Sequence, residues 1–86
     1  MKTNQTSIHR PLFEIARDID SNWKPEIYFG ARPYLNAMYS LDRLSDRYGC
    51  DTGESVVRYF LANAQTWKGQ EARAIKLELN NILKLY

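Results

Sequence analysis

The chain has 86 residues and a formal charge of +2, from twelve Lys and Arg against ten Asp and Glu. That length supports one domain around one core, and the interspersed charges exclude the concentrated basic block of a dedicated polyanion binder. The single cysteine, Cys50, excludes an internal disulfide, and with only His9 beside it there is no Cys/His zinc site.

In chain order, residues 1–6 are polar and aperiodic and read as a disordered lead-in without the apolar core of a signal peptide. No apolar run approaches the ~20 residues of a membrane-spanning helix, so the expected setting is soluble and cytoplasmic. The first helix is predicted to start with Ser7 as its cap and Pro11 in its opening turn. Ile8, Leu12, Ile15, Ala16, Ile19 and Trp23 recur at helical spacing and form one apolar stripe, with Glu14, Arg17 and Asp18 turned away. Pro25 disfavours helical geometry at Lys24 and ends the element.

From Trp23 to Tyr34 the chain reads Trp-Lys-Pro-Glu-Ile-Tyr-Phe-Gly-Ala-Arg-Pro-Tyr. Aromatic rings beside prolines and a glycine predict a rigid connection, usable as a core plug or as a recognition surface. Within it, Trp23 and Tyr34 are expected to be buried and to fix the joint between the first two helices, leaving Tyr28 or Phe29 accessible. Gly30 and Pro33 bracket the start of a second helix whose buried side takes in Tyr34, Leu35, Met38, Leu41, and further on Leu44 and Tyr48. Its stripe drifts after Leu41, so the helix either bends near Asp42 or yields to a separate short turn. Tyr48-Gly49-Cys50-Asp51 is a break, since glycine closes helices readily.

Asp51 followed by Glu54 has capping-box spacing and predicts the start of a third helix, buried on Val57, Phe60, Leu61 and Ala64, with Glu54 and Arg58 pairing on the solvent side. Thr66-Trp67-Lys68-Gly69 reads as a tight corner. The fourth helix runs from about Lys68 on Ala72, Ile75, Leu79, Ile82, Leu83 and Tyr86. No strand, repeat or low-complexity segment is apparent. The pattern therefore predicts an all-α, single-domain compact four-helix bundle with an aromatic, Pro- and Gly-containing connection between helices 1 and 2.

Two segments, Tyr28-Phe29-Gly30-Ala31-Arg32-Pro33-Tyr34-Leu35-Asn36-Ala37-Met38 and Tyr59-Phe60-Leu61-Ala62-Asn63-Ala64-Gln65-Thr66-Trp67, resemble stretches of small helical proteins encoded by bacteriophages and other bacterial mobile elements. The resemblance runs from about Ile15 to Leu83 and implies a bacterial or phage setting. It implies no active site.

No catalytic constellation is visible. His9 has no partner base or nucleophile, and Asp51 beside Cys50 disfavours a thiolate. Asp42 and Asp46 are too few for a hard-cation cage and alternate with Arg43 and Arg47 in what reads as a solvated mixed-charge face. The Gly-Cys-Asp-Thr-Gly stretch lacks the lysine and spacing of a P-loop. No enzyme, cofactor or metal is expected. Arg32, Arg43, Arg47, Arg58, Arg73, Lys76 and Lys84 keep nucleic-acid binding as the alternative, weakened by their dispersal.

On a helical wheel Ala74, Leu77 and Leu85, with Asn81, fall opposite the fourth helix's core stripe. Such a second line implies a helix sandwiched inside the bundle or a contact with another chain. Tyr39 and Tyr59 also fall off their main stripes, and tyrosine suits interfaces. The candidate partner-binding residues are accordingly Tyr28, Phe29, Arg32, Tyr39, Tyr59, Leu77 and Leu85. The function this predicts is non-catalytic binding of a protein partner or of a second copy.

Overall fold

The computed structural model describes residues 9–86, so the lead-in expected at residues 1–6, the Ser7 cap and Ile8 lie outside the described residues. Among those residues the chain is mostly helical. The four α-helices are α1 (Leu12–Trp23), α2 (Arg32–Met38), α3 (Gly53–Ala62) and α4 (Gln70–Leu85). A short 3-10 turn, Phe29–Ala31, leads into α2, and two-residue strands β1 (Arg47–Tyr48) and β2 (Asp51–Thr52) pair antiparallel ahead of α3.

α1 begins later than the spacing predicts, with Pro11 as its N-cap and no side-chain cap bond. Its first two amides have a different partner: Leu12 N–H donates to the Asp42 carbonyl (3.0 Å) and Phe13 N–H to the Leu41 carbonyl (2.9 Å). Backbone oxygens from another connection thus satisfy donors that every helix start leaves open. Leu12, Ile15, Ala16, Ile19 and Trp23 are buried as the stripe predicts.

The second helix ends at Met38, and a turn carries Leu41 and Leu44 back into the core. Tyr48 is a correction. Instead of lining a helix it stands exposed on β1, opposite Asp51, because Gly49 at φ 63° turns the chain into a hairpin that periodicity alone does not reveal. Asp51 likewise occupies β2 instead of capping α3. The cap is Thr52, whose Oγ1 accepts from Ser55 N–H at 3.2 Å, the same chemistry one residue on.

Gly53 and Glu54 open α3 by donating to the Asp46 (2.7 Å) and Leu44 (3.0 Å) carbonyls. The 41–46 segment therefore accepts four amide bonds from the starts of two helices. It passes so close that a Cβ on Gly53 would lie 2.5 Å from the Arg43 carbonyl oxygen and 2.9 Å from Leu44 Cα. Asp46 folds the segment on itself, its Oδ2 accepting from the amides of Asp42 (2.9 Å) and Arg43 (3.0 Å). The mixed-charge stretch expected at Asp42–Arg47 is mostly solvent-facing, and it is a hydrogen-bonded turn and not a bent helix.

α1 packs on α2 and α4, α2 on α3, and α3 on α4. In the core, Trp23 stacks on Trp67 at 5.3 Å and 15° and meets Phe60 edge-on at 6.2 Å. Trp23 is buried as expected, and its ring joins α1 to α3 and to the corner after it. Trp67, read as part of a corner, is core, as is Val56 beside the predicted face of α3. Tyr34 is only half-buried, and Tyr86, placed on the buried stripe of α4, is exposed at its C-cap.

Candidate functional site

Exposed aromatic rings gather where the connection after α1 meets α3. Ala31 N–H closes the 3-10 turn on the Tyr28 carbonyl (2.9 Å). That turn leaves Phe29 82% exposed at its tip, with the Tyr28 ring 5.1 Å away at 60°. Tyr28 folds back over Gly30, where a Cβ would sit 2.5 Å from its Cε2 and 3.1 Å from Asn63 Oδ1. Glycine at this position brings the ring against α3. One turn along both helices, Tyr34 and Tyr59 pair at 5.5 Å and 32°. Asn63 Nδ2 donates to the Tyr59 carbonyl at 2.9 Å. A depression of about 270 Å³ opens between Tyr28, Ala62, Asn63, Gln65 and Thr66.

Of the expected partner-binding residues, Tyr28, Phe29 and Tyr59 come together here, and Arg32 and Tyr39 do not. Both of the latter turn to Asp20 on α1: the Tyr39 hydroxyl donates to Asp20 Oδ2 at 2.7 Å and Arg32 lies 3.5 Å from the same oxygen. Lys24 Nζ stands 3.8 Å from Oδ1, which is buried without a hydrogen bond. Burial pushes the Asp20 carboxyl pKa up, but the Tyr39 bond and the Arg32 charge outweigh it, and the net shift is downward. Tyr39 moves up, through burial and its bond to Asp20. This cluster ties α1 to α2.

Leu77 and Leu85 form the second surface. They are 61% and 66% exposed, with Ala74 and Asn81 open on the same face, so α4 is not sandwiched on this side by another described element. A groove of about 520 Å³ runs between this face and His9–Arg10. Arg10 closes its wall: it binds Glu78 through two hydrogen bonds (2.9 and 3.0 Å) and Asp18 through one of 2.6 Å. The bond to Glu78, reinforced by Asp18, raises its pKa above an already high value. His9 is half-buried at the groove's end, its Nδ1 2.8 Å from the Arg10 carbonyl oxygen.

The cations weighed for nucleic acid are partly engaged. Arg58 is held by Glu54 at 3.0 Å, Arg32 faces Asp20, and Lys76 donates to the Trp67 carbonyl at 2.7 Å. Burial, with Lys68 nearby, lowers the Lys76 pKa. Cys50 is exposed at the hairpin tip. No described helix is long and apolar enough to cross a membrane. Sequence reasoning missed Tyr34, Gln65 and Thr66 as parts of the aromatic surface. Gly30 and Tyr34, and Tyr59 and Asn63, are each four residues apart, but that spacing alone does not say that the two pairs face each other. Comparison with known proteins finds no matching family, no curated relative and no similar solved structure.

Proposed function

We propose that the chain is a non-catalytic protein-binding module of a phage or mobile element, working in the cytoplasm of a bacterial host. In this reading the four helices act as a small bundle that presents the Tyr28–Phe29–Tyr59 surface. Phe29 carries the reading. A phenylalanine left 82% exposed forgoes the roughly 1.5–3 kcal/mol that burying such a side chain returns, and a partner that covers the ring recovers it. The neighbouring tyrosines supply contact area with polar tips at low entropic cost. The outer face of α4, with Leu77 and Leu85, is the second surface and the basis for a homodimer.

Affinity capture from the native host with the parent, Phe29→Ser and Leu77→Lys/Leu85→Lys proteins tests the assignment. A partner protein retained by the α4 double variant and lost with Phe29→Ser is the expected result. Sedimentation of the same three proteins reports on the dimer, and a parent that is monomeric at high concentration removes it. Recovery of nucleic acid in place of protein, with binding tighter than about micromolar near 150 mM salt, would replace the proposal by the nucleic-acid reading.

A further inference from the structure

The outer face of α4 has charges of opposite sign on its two flanks, and on the premise that this face forms the homodimer they set how the two copies meet. The structure fixes both flanks. Glu78 turns toward α1, where Arg10 binds it at 2.9 and 3.0 Å, and Glu71, seven residues earlier, shares that side of the helix. Lys76 turns the other way and donates to the Trp67 carbonyl at 2.7 Å, with Arg73 and Lys84 exposed on the same side. Between the flanks Ala74, Leu77 and Asn81 recur at spacings of four and three or less than one turn apart, all exposed, and Leu85 follows. Among the described residues Glu71, Arg73 and Lys84 form no ion pair.

An acidic flank, a less charged centre and a basic flank make this face complementary to itself in one orientation. When two copies of a helix lie side by side and parallel, opposite flanks meet along both edges of the seam. Glu71 and Glu78 of each copy then face Arg73 and Lys84 of the other. Antiparallel packing instead sets acid against acid and base against base, which repels. Asn81 agrees with the parallel arrangement. In register, the two Asn81 amides meet across the two-fold axis and bond each other, as a single seam asparagine does in parallel coiled coils. We infer that a second copy of this chain docks on the outer face of α4 with the two α4 helices parallel and in register. A seam of 16 residues is ~24 Å long and buries less than an obligate interface, so the expected dissociation constant is roughly 0.1 mM.

Orientation is tested by disulfide trapping in the full chain with Cys50→Ser and one new cysteine, either Gln70→Cys or Lys84→Cys, under mild oxidation near ~1 mM protein. Each variant alone should give a disulfide dimer, and an equal mixture should give mainly the 70–70 and 84–84 products. A mixture dominated by the 70–84 product overturns the inference and leaves the homodimer standing in antiparallel form; products in the proportions of chance encounter overturn it as well. Arg73→Glu should weaken association in sedimentation at low salt by roughly three- to tenfold with an unchanged melting temperature. An unchanged dissociation constant overturns the charge pairing on which the orientation rests. A parent that stays monomeric at this concentration removes the orientation and the homodimer together, while partner binding through Phe29 is decided separately by the affinity capture.

Discussion

The connection at residues 24–31 carries Ile27, Tyr28 and Phe29, yet only Ile27 and Ala31 rest against the core, while both rings point outward. The connection at 39–52 carries charged residues at Asp42, Arg43, Asp46, Arg47 and Asp51, yet it buries Leu41 and Leu44 and accepts four amide bonds from the starts of α1 and α3. Composition points one way and structural work the other. The difference lies in what each backbone does. A chain that turns its carbonyls toward helix N-termini meets an obligatory demand for acceptors, whereas a ring on a turn is buried only if an element happens to cover it.

Trp23, the last residue of α1 before the first connection, does hold the fold, so its removal should give the largest effect. Its ring is 5% exposed and packed on Trp67 and Phe60. Trp23→Ala should cost ~3–5 kcal/mol, a large share of the ~5–15 available to a domain, and should leave the protein unfolded or nearly so by thermal melting. A well-folded variant would mean that the stacked pair is dispensable and the 41–46 segment suffices.

The second connection is tested next by Gly53→Ala. The added methyl meets backbone atoms of Arg43 and Leu44 inside van der Waals distance, and backbone cannot rotate aside as a side chain can. Ordinary helix propensity favours alanine over glycine by ~1 kcal/mol, so propensity and packing predict opposite signs. Overpacking of this kind costs ~1–3 kcal/mol, which should win and lower the urea midpoint. A raised midpoint would show that the segment yields and that its hold on α3 is weak.

The α1 stripe, the core of α4 and the helical class were legible because period-3.6 patterning reports burial directly. The aromatic surface proposed for a partner was legible in part: Tyr28, Phe29 and Tyr59 are readable as exposed rings, but their junction with Tyr34 and Asn63 depends on α2 lying against α3, which no local pattern encodes. The 41–52 region is legible only in part, its turn being one of two alternatives and its hairpin unread, for a related reason. Its order comes from carbonyl bonds to helices that are distant in sequence, and such bonds leave no side-chain signature. Trp67 lies in the expected corner, but its burial is not legible because its partner, Trp23, is 44 positions away.

A smaller effect is expected at the cap of α3. Thr52→Ala removes the acceptor for Ser55 N–H and should cost ~0.5–2 kcal/mol, while Asp51→Ala, on an exposed strand position, should stay within about 0.5 kcal/mol. Parallel urea titrations give the two values. The reverse order would restore the capping box to Asp51 and shift the start of α3 by one residue.

The smallest effect distinguishes charge from geometry in the 41–46 turn. The amides of Arg43 and Asp42 hold the Asp46 carboxyl pKa below its ordinary value. A depressed carboxylate contributes stability that is fully present above its unfolded pKa of about 3.9 and is lost as pH falls through the lower folded value. Asp46→Asn keeps an oxygen for both amides and removes only the charge. At pH 7 the variant should be less stable by about 0.5 kcal/mol, a figure kept low because the group is partly solvated. Well below pH 4 the gap should close, since the parent carboxyl is then protonated as well. Asp20, whose pKa is also depressed, titrates alike in both proteins and cancels from the comparison. A gap that persists unchanged at low pH would show that the second connection is held by the shape of its turn, with the Asp46 charge contributing nothing.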